Sequence, residues 1–204
     1  MPTDSVVHVI DDDDAVRDSL SFLLVSAGLT VRTHESARQF LDTVTDLAET
    51  CIVTDVRMPG VSGIDLLRTL RARGDGVPVI VMTGHGDVPL AVEAMKLGAA
   101  DFLEKPFDDE ALLAAVHAAR AGSATSTSRD ARAAEIRLRV GTLTDRERQV
   151  MDGLVEGHPN KVIAFDLGIS PRTVEIYRAN VMTKMQAGSL SELVRMALLV
   201  VPGA

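Results

Sequence analysis

Five polar side chains in the first half of the chain are of the types that handle phosphoryl groups: Asp11, Asp12, Asp55, Thr83 and Lys105. Each follows a short stretch read as a strand, apolar in the first three and opened by Asp101 in the last. Residues 6–10 lead to Asp11 and Asp12, 51–54 to Asp55, 79–82 to Thr83, and 101–103 almost directly to Lys105. Several carboxylates gathered at one point repel each other and call for a cation. An all-oxygen set of one or two carboxylates plus water suits magnesium (Mg2+). A carboxylate beside such an ion can attack phosphorus and form an aspartyl phosphate. That transfer asks for positioning and charge neutralisation more than for covalent help. Lys105 then offers an ammonium to the phosphoryl oxygens, and Thr83 a hydroxyl.

Taken singly, each residue has a plainer reading. Asp55, followed by Pro59 and Gly60, could simply cap a turn. Lys105–Pro106 alone is a solvated turn. Acidic residues are favoured in the first turn of a helix by its dipole, and Asp13 and Asp14 are assigned to that role, Asp11 and Asp12 to the cation. The five histidines (His8, His34, His85, His117 and His158) show no metal-ligand spacing and no pairing with a Ser or Cys nucleophile, and are read as surface or core filler. A phosphohydrolase of the haloacid dehalogenase type would use Asp11 as nucleophile in a strand–DxD pattern. Ala15 departs from that pattern, and it leaves Asp55 unexplained.

The elements that must position these groups are legible in the hydrophobic pattern. Apolar runs alternate with stretches of helical period: residues 16–27, from about 36, from about 62, 91–97 and 112–119. Five strand–helix units in 120 residues imply a parallel sheet covered on both faces, an α/β fold. Right-handed crossovers then bring every strand's carboxyl end to one edge, where ligands bind in such sheets. The convergence of the five polar residues on that edge favours the chemical reading over the plain ones.

The chain has 204 residues and a net charge of −8, unevenly shared. Residues 1–120 hold 20 acidic and 10 basic side chains, residues 121–204 hold 9 and 11. The asymmetry suggests two domains with different partners, although so mild a basic excess is weak evidence for nucleic acid. The single cysteine, Cys51, excludes an internal disulfide and reads as inert core. The acidic start lacks the basic n-region of a signal peptide, and no apolar run approaches the ~20 residues of a membrane span. A cytoplasmic protein without membrane contact is expected.

Residues 121–128 (AGSATSTS) have linker composition. The Ala/Arg-rich stretch 129–140 is expected to be partly helical, with basic residues that could solubilise the joint or lie on DNA or on the acidic half. Beyond it the helix signals are dense. Thr144 and Glu147 form a capping box, Gly157 stops that helix, Asn160 is read as the cap of a helix at 161–167, and Gly168 ends it. Ser170 caps a third helix with Pro171 in its first turn, packing through Val174, Tyr177, Val181 and Met185. Ser189 and Glu192 read as a second capping box, opening a fourth helix. Two helices joined by a short Gly-containing turn make a helix-turn-helix, whose second helix would enter the major groove. Asn160, Lys161, Arg172, Thr173, Arg178 and Lys184 would then serve the DNA, largely at phosphates, and Glu175, Ile176 and Ala179 would meet base edges. Spacing alone fits a DNA-free helical interaction module with a solvated charged face equally well.

Two resemblances bear on these alternatives. The strand-end DD, DVRMPG at 55–60, TG at 83–84 and KPF at 105–107 resemble the receiver domain of two-component response regulators, over residues 6 to about 120. The resemblance implies a CheY-like five-stranded parallel sheet in order 2-1-3-4-5 and phosphorylation of Asp55 by a sensor histidine kinase. It also implies an Mg2+ site of Asp11, Asp12, Asp55 and the backbone carbonyl of Arg57, with Thr83 and Lys105 on the phosphoryl group. The peptide bond before the proline matching Pro106 is often cis in that family. Phe102 matches its switch aromatic: Thr83 drawn to the phosphoryl group would let Phe102 rotate inward and remodel helix four and strand five, the implied contact of a phosphorylated homodimer.

LTDRERQVMDGLVEG, NKVIAFDLGISPRTVEIYRANVMTKM and the closing helix resemble the LuxR-type DNA-binding domain, from about residue 143 onward. Some members carry lysines where this chain has Glu175 and Ala179, so base preferences do not carry over. A receiver joined to a LuxR-type domain is the NarL/FixJ class, and residues 7–29 and 56–67 are most similar to its FixJ-type, nitrogen-fixation branch. The resemblance implies a transcriptional activator controlled by a FixL-like, oxygen-sensing kinase, acting on double-stranded DNA with RNA polymerase. Another regulator of the class, with a different signal, is the alternative. The expected boundaries are 1–122 for the receiver, 123–141 for a partly helical linker and 142–204 for an all-α four-helix DNA-binding domain.

Overall fold

The computed structural model describes residues 6–48, 50–84, 88–121 and 126–200, with Val88 and residues 126–131 given by their backbone alone. His85 and the linker residues 122–125 lie outside the described residues. By backbone proximity the chain divides into two compact units, residues 1–85 with 97–122 and residues 86–96 with 123–204.

In the first half, β1 (Val6–Ile10), β2 (Thr30–His34), β3 (Thr50–Asp55), β4 (Val79–Thr83) and β5 (Asp101–Glu104) alternate with α1 (Asp14–Ser26), α2 (Ala37–Thr43), α3 (Gly63–Ala72), α4 (Val88–Lys96) and α5 (Asp109–Arg120). The strands pair in parallel, in the order β2-β1-β3-β4-β5, as the resemblance implied. Every residue of the central strand β3 is buried. On one face Val7, Val9, Cys51, Val53, Ile80 and Met82 pack with Leu20 and Leu24 of α1 and Leu112, Ala115 and Val116 of α5. Burial pushes the Cys51 thiol up to about 12, so it is inert core at neutral pH. The edge strand β2 is mostly exposed, which is why its apolar pattern is weak.

Two histidines are more than filler. His8 Nδ1 lies 2.8 Å from His34 Nε2 across β1 and β2. Their rings stack at 5.1 Å, and Phe40 of α2 meets each edge-on at 5.2 Å. Burial, with the neighbouring histidine and Arg32, lowers His8 to about 4.

In the second half α6 (Ser126–Val140), α7 (Asp145–Glu156), α8 (Asn160–Leu167), α9 (Pro171–Met185) and α10 (Leu190–Val200) follow one another. The capping box of α7 is complete: Glu147 N–H donates to Thr144 Oγ1 at 3.3 Å, and Thr144 N–H to Glu147 Oε2 at 2.8 Å. Left-handed Gly157 and Gly168 end α7 and α8. Ser170 caps α9, accepting from the N–H of Thr173 at 3.1 Å. Val150, Met151, Leu154, Ile163, Val174, Val181, Met185, Leu193 and Val194 make the core.

Three local expectations need correction. Asn160 does not cap α8. Pro159, extended at φ −62° and ψ 151°, holds the cap position and Asn160 is the first helical residue, because proline's fixed φ suits entry into a helix that needs no side-chain cap there. The box at Ser189 is only half formed: Ser189 Oγ accepts from Glu192 N–H at 3.2 Å, but Glu192 Oε2 takes the N–H of Gly188, at 2.9 Å. Finally α6 begins at Ser126, inside the stretch read as linker, while α5 ends at Arg120.

Candidate functional site

The register of the sheet explains how residues far apart in sequence meet. Ile10 pairs with Thr54, so the next residues, Asp11 just past β1 and Asp55 at the end of β3, stand side by side. Asp55 pairs with Met82, which brings up Thr83, and Thr83 pairs with Glu104, which brings up Lys105. The backbone N–H of Lys105 donates to the carbonyl of Thr83 at 2.8 Å, so the β4–β5 pairing runs on to the site. The Lys105–Pro106 bond is cis.

The side chains of Asp11, Asp55 and Lys105 converge accordingly, while the Thr83 hydroxyl donates to the Gly84 carbonyl at 3.4 Å. Lys105 Nζ lies 2.6 Å from Asp55 Oδ1 and 3.0 Å from Asp11 Oδ2. Asp55 Oδ2 accepts from the N–H of Arg57 at 2.6 Å, so both of its oxygens are held. Asp11 Oδ1 accepts from the N–H of Asp13 at 3.0 Å, and Arg17 donates to the Asp11 carbonyl at 2.7 Å. Burial alone would lower the Lys105 pKa, but the hydrogen bonds and charges of Asp55 and Asp11 outweigh it and hold the ammonium above the ordinary lysine value. Asp11 and Thr83 are almost fully buried, Asp55 slightly less so, and Asp12 is exposed at the rim. Asp13 caps α1, accepting from the N–H of Ala15 at 2.8 Å, and Asp14 stands in its first turn. Phe102 is buried on β5, in register with Val81 of β4.

Among the described residues no three His, Cys, Asp or Glu side chains form a ready metal cage. Magnesium does not need one, since it keeps several waters and takes one or two carboxylates. Asp11 and Asp55, both reached by one lysine, are an all-oxygen pair that fits such an ion.

Gly63 was not apparent from the sequence as part of this site. A Cβ built there would lie 2.2 Å from the Asp55 carbonyl oxygen and 3.0 Å from its carbon. The N–H of Gly63 also donates to the carbonyl of Val56 at 3.0 Å. Helix α3 therefore starts hard against the backbone that carries Asp55, which only glycine permits.

On the second unit, Lys161, Arg172, Glu175 and Ala179 are exposed, Ile176 is 58% exposed, and Asn160, Thr173 and Arg178 are half-buried. Thr173 Oγ1 lies 2.8 Å from Ser170 Oγ at the start of α9. Lys184 departs from the expectation of a phosphate contact. Its ammonium lies 2.6 Å from Glu147 Oε2, and Glu147 is buried in the box of α7. The Lys184 hydrogen bond is the largest cause holding the Glu147 carboxyl below its usual value. The lysine points back because a buried carboxylate without a cation costs more than an exposed lysine without a phosphate.

The family described as "Response regulator receiver domain" matches residues 7–117, and "Bacterial regulatory proteins, luxR family" matches residues 141–197. The chain is 65% identical over 199 residues to the "Transcriptional regulatory protein FixJ" of Azorhizobium caulinodans, covering 98% of this chain and 94% of that protein. It is 56% identical over 198 residues to the FixJ of Bradyrhizobium diazoefficiens, covering 97% of each. The crystal structure of full-length FixJ from B. japonicum is similar with a TM-score of 0.57 at 56% identity, covering 97% of each chain. Among the described residues no helix is long and apolar enough to cross a membrane. Strand order, the Asp11–Asp55–Lys105 cluster, the helix-turn-helix and these likenesses coincide: the chain belongs to the FixJ-like response regulators, transcription factors that join a receiver to a LuxR-type DNA-binding domain.

Proposed function

We propose that Asp55 accepts a phosphoryl group from a sensor histidine kinase and that this acylphosphate switches DNA binding by α9. The observation that carries the reading is the position of Asp55 between Lys105 and Asp11 at the carboxyl edge of the sheet. Asp11, Asp12, Asp55 and the carbonyl of Arg57 would hold Mg2+, which neutralises charge on the phosphoryl oxygens when bound. This chain's own part is to fix the nucleophile. The N–H of Arg57 holds one Asp55 oxygen, and Lys105 can pass from the carboxylates to the incoming phosphoryl group, whose charge approaches −2. Thr83 would donate its hydroxyl to the same group, and Phe102 would follow it, changing the surface of α4 and β5 that forms the homodimer. The protein carries the phosphoryl group on itself, with slow self-dephosphorylation at most, and is not a turnover enzyme.

The domains proposed are residues 1–122, 123–141 and 142–204, the last placing α9 in the major groove of double-stranded DNA. Arg172, Arg178, Lys161, Asn160 and Thr173 would contact the backbone, and Glu175, Ile176 and Ala179 the bases. We further propose control of nitrogen-fixation genes in response to oxygen, through a FixL-like kinase and RNA polymerase, in the cytoplasm; the FixJ name of the relatives supports the nitrogen-fixation part alone. Asp55→Asn should abolish phosphodonor-dependent dimerisation, read by light scattering. A variant that still dimerised and took up acid-labile phosphate would refute the assignment.

A further inference from the structure

The recognition helix is held at its carboxyl end by a residue from outside the matched DNA-binding domain. Arg139 belongs to α6, and the family match begins two residues later. Its guanidinium donates to the carbonyl of Met185, the last residue of α9, at 2.9 Å, and to Glu135 Oε1 one turn back along α6 at 2.6 Å. The last carbonyls of a helix have no partner within it, and a fixed cation there also meets the negative end of the helix dipole. Gln186 follows at φ 55°, the one non-glycine among the described residues in the left-handed region, so the chain turns away sharply just after the carbonyl that Arg139 holds.

The same end of α6 is tied to α7. Arg148 donates to the carbonyl of Val140 at 3.0 Å, and Ala133, Ile136 and Val140 of α6 are buried. One residue before Met185, Lys184 is bound to Glu147 of α7. The last turn of α9 is therefore clamped from two sides, by an anion of α7 and by a cation of the linker helix.

We propose that Arg139 is a positioning residue for DNA recognition: it fixes the axis of α9 from the linker, so the functional DNA-binding module begins inside α6. This rests on the reading that α9 enters DNA. A rotation of α9 about its amino-terminal cap would move its base-reading residues Glu175, Ile176 and Ala179 relative to Asn160 and Lys161, which α8 presents to the DNA backbone. Loss of Arg139 then lowers sequence discrimination more than general affinity. It also gives the linker helix a direct mechanical hold on the reading helix.

The test uses the full-length chain treated with a small phosphodonor. Two duplexes serve as probes: one selected by the wild-type chain from a random-sequence pool, and a shuffled duplex of equal length and composition. With Arg139→Ala, affinity for the selected duplex should fall by about tenfold, the scale of one lost charge-assisted hydrogen bond. Binding of the shuffled duplex and the salt dependence of binding should stay as in wild type, and Arg139→Lys should recover part of the loss. A uniform loss on both duplexes, with a salt slope shallower by about one phosphate, would make Arg139 a direct DNA contact and overturn the proposal. So would unchanged binding. Should Arg139→Ala fail to fold, Glu135→Ala, an exposed site, must show a smaller loss confined to the selected duplex, and its absence counts equally against the proposal. Arg178→Ala separates the two readings: if it weakens binding while Arg139→Ala does not, only the positioning role falls. If the wild-type chain binds no duplex, the DNA reading of α9 falls first.

Discussion

Replacing Gly63 by alanine tests whether the start of α3 sets the position of the phosphorylation site. The new Cβ would lie 2.2 Å from the Asp55 carbonyl oxygen and 3.2 Å from Thr54 Cγ2. An unstrained contact needs roughly 1 Å more, and the oxygen belongs to the backbone, so either α3 withdraws or the end of β3 moves. Overpacking of this kind costs about 1–3 kcal/mol. If β3 yields, the Asp55 carboxylate leaves its 2.6 Å contacts with Lys105 Nζ and Arg57 N–H. A misplacement of about 1 Å at a reacting group is worth on the order of 10²-fold in rate. The assay is the rate of acid-labile phosphate uptake from acetyl phosphate, alongside a thermal melt. Gly60→Ala is the control within the same loop. Gly60 sits at φ +81° with nothing within 4 Å of its Cβ position, so alanine there costs about 1 kcal/mol of backbone strain without pushing on Asp55. Gly63→Ala should lower the melting temperature and slow phosphorylation, Gly60→Ala only the former. The reasoning is refuted if Gly63→Ala phosphorylates at the wild-type rate, or if both variants slow it equally.

Further expectations concern groups remote from the phosphoryl chemistry. The Cys51 thiol, buried and pushed up to about 12, should react with thiol reagents at pH 8 only as fast as the chain unfolds; a rate independent of stabilising conditions would contradict its burial. For the His8–His34 pair the folded pKa values lie below the unfolded 6.5, His8 at about 4. The unfolded chain then binds protons first, so this contribution to stability is complete above about pH 6.5 and is lost progressively down to about pH 4. For His8 it is at most about 3 kcal/mol, less whatever solvent screening removes. Urea melts at pH 7.5 and 5.0 should show a larger loss for the wild type than for His8→Phe, and equal losses would reject it. Arg178→Ala should weaken selected and shuffled duplexes alike and flatten the salt dependence; an effect at one base position alone would contradict a phosphate contact.

Features that depend on neighbours along the chain could be read without coordinates. Apolar runs leading to Asp11, Asp55 and Thr83 announced strands with polar ends, because a strand buried on both faces is largely apolar; the partly buried β5 before Lys105 gave a weaker signal. Thr144 with Glu147, and Ser170 with Pro171, announced helix starts, because their partners lie within four residues. The Asn160 cap failed within that same range, since proline one residue earlier already sets the entry angle. Features that depend on crossing elements emerged from the folded chain alone. The pairing of Ile10 with Thr54 is a register, invisible in either strand alone, and it is what sets Asp11 beside Asp55. Gly63 is required by a carbonyl that another segment delivers. Lys184 and Arg139 look like surface cations in sequence, yet the fold turns one toward Glu147 of α7 and the other toward the end of α9. A side chain's charge is written in the sequence, but the group that meets that charge is chosen by how the helices and strands pack.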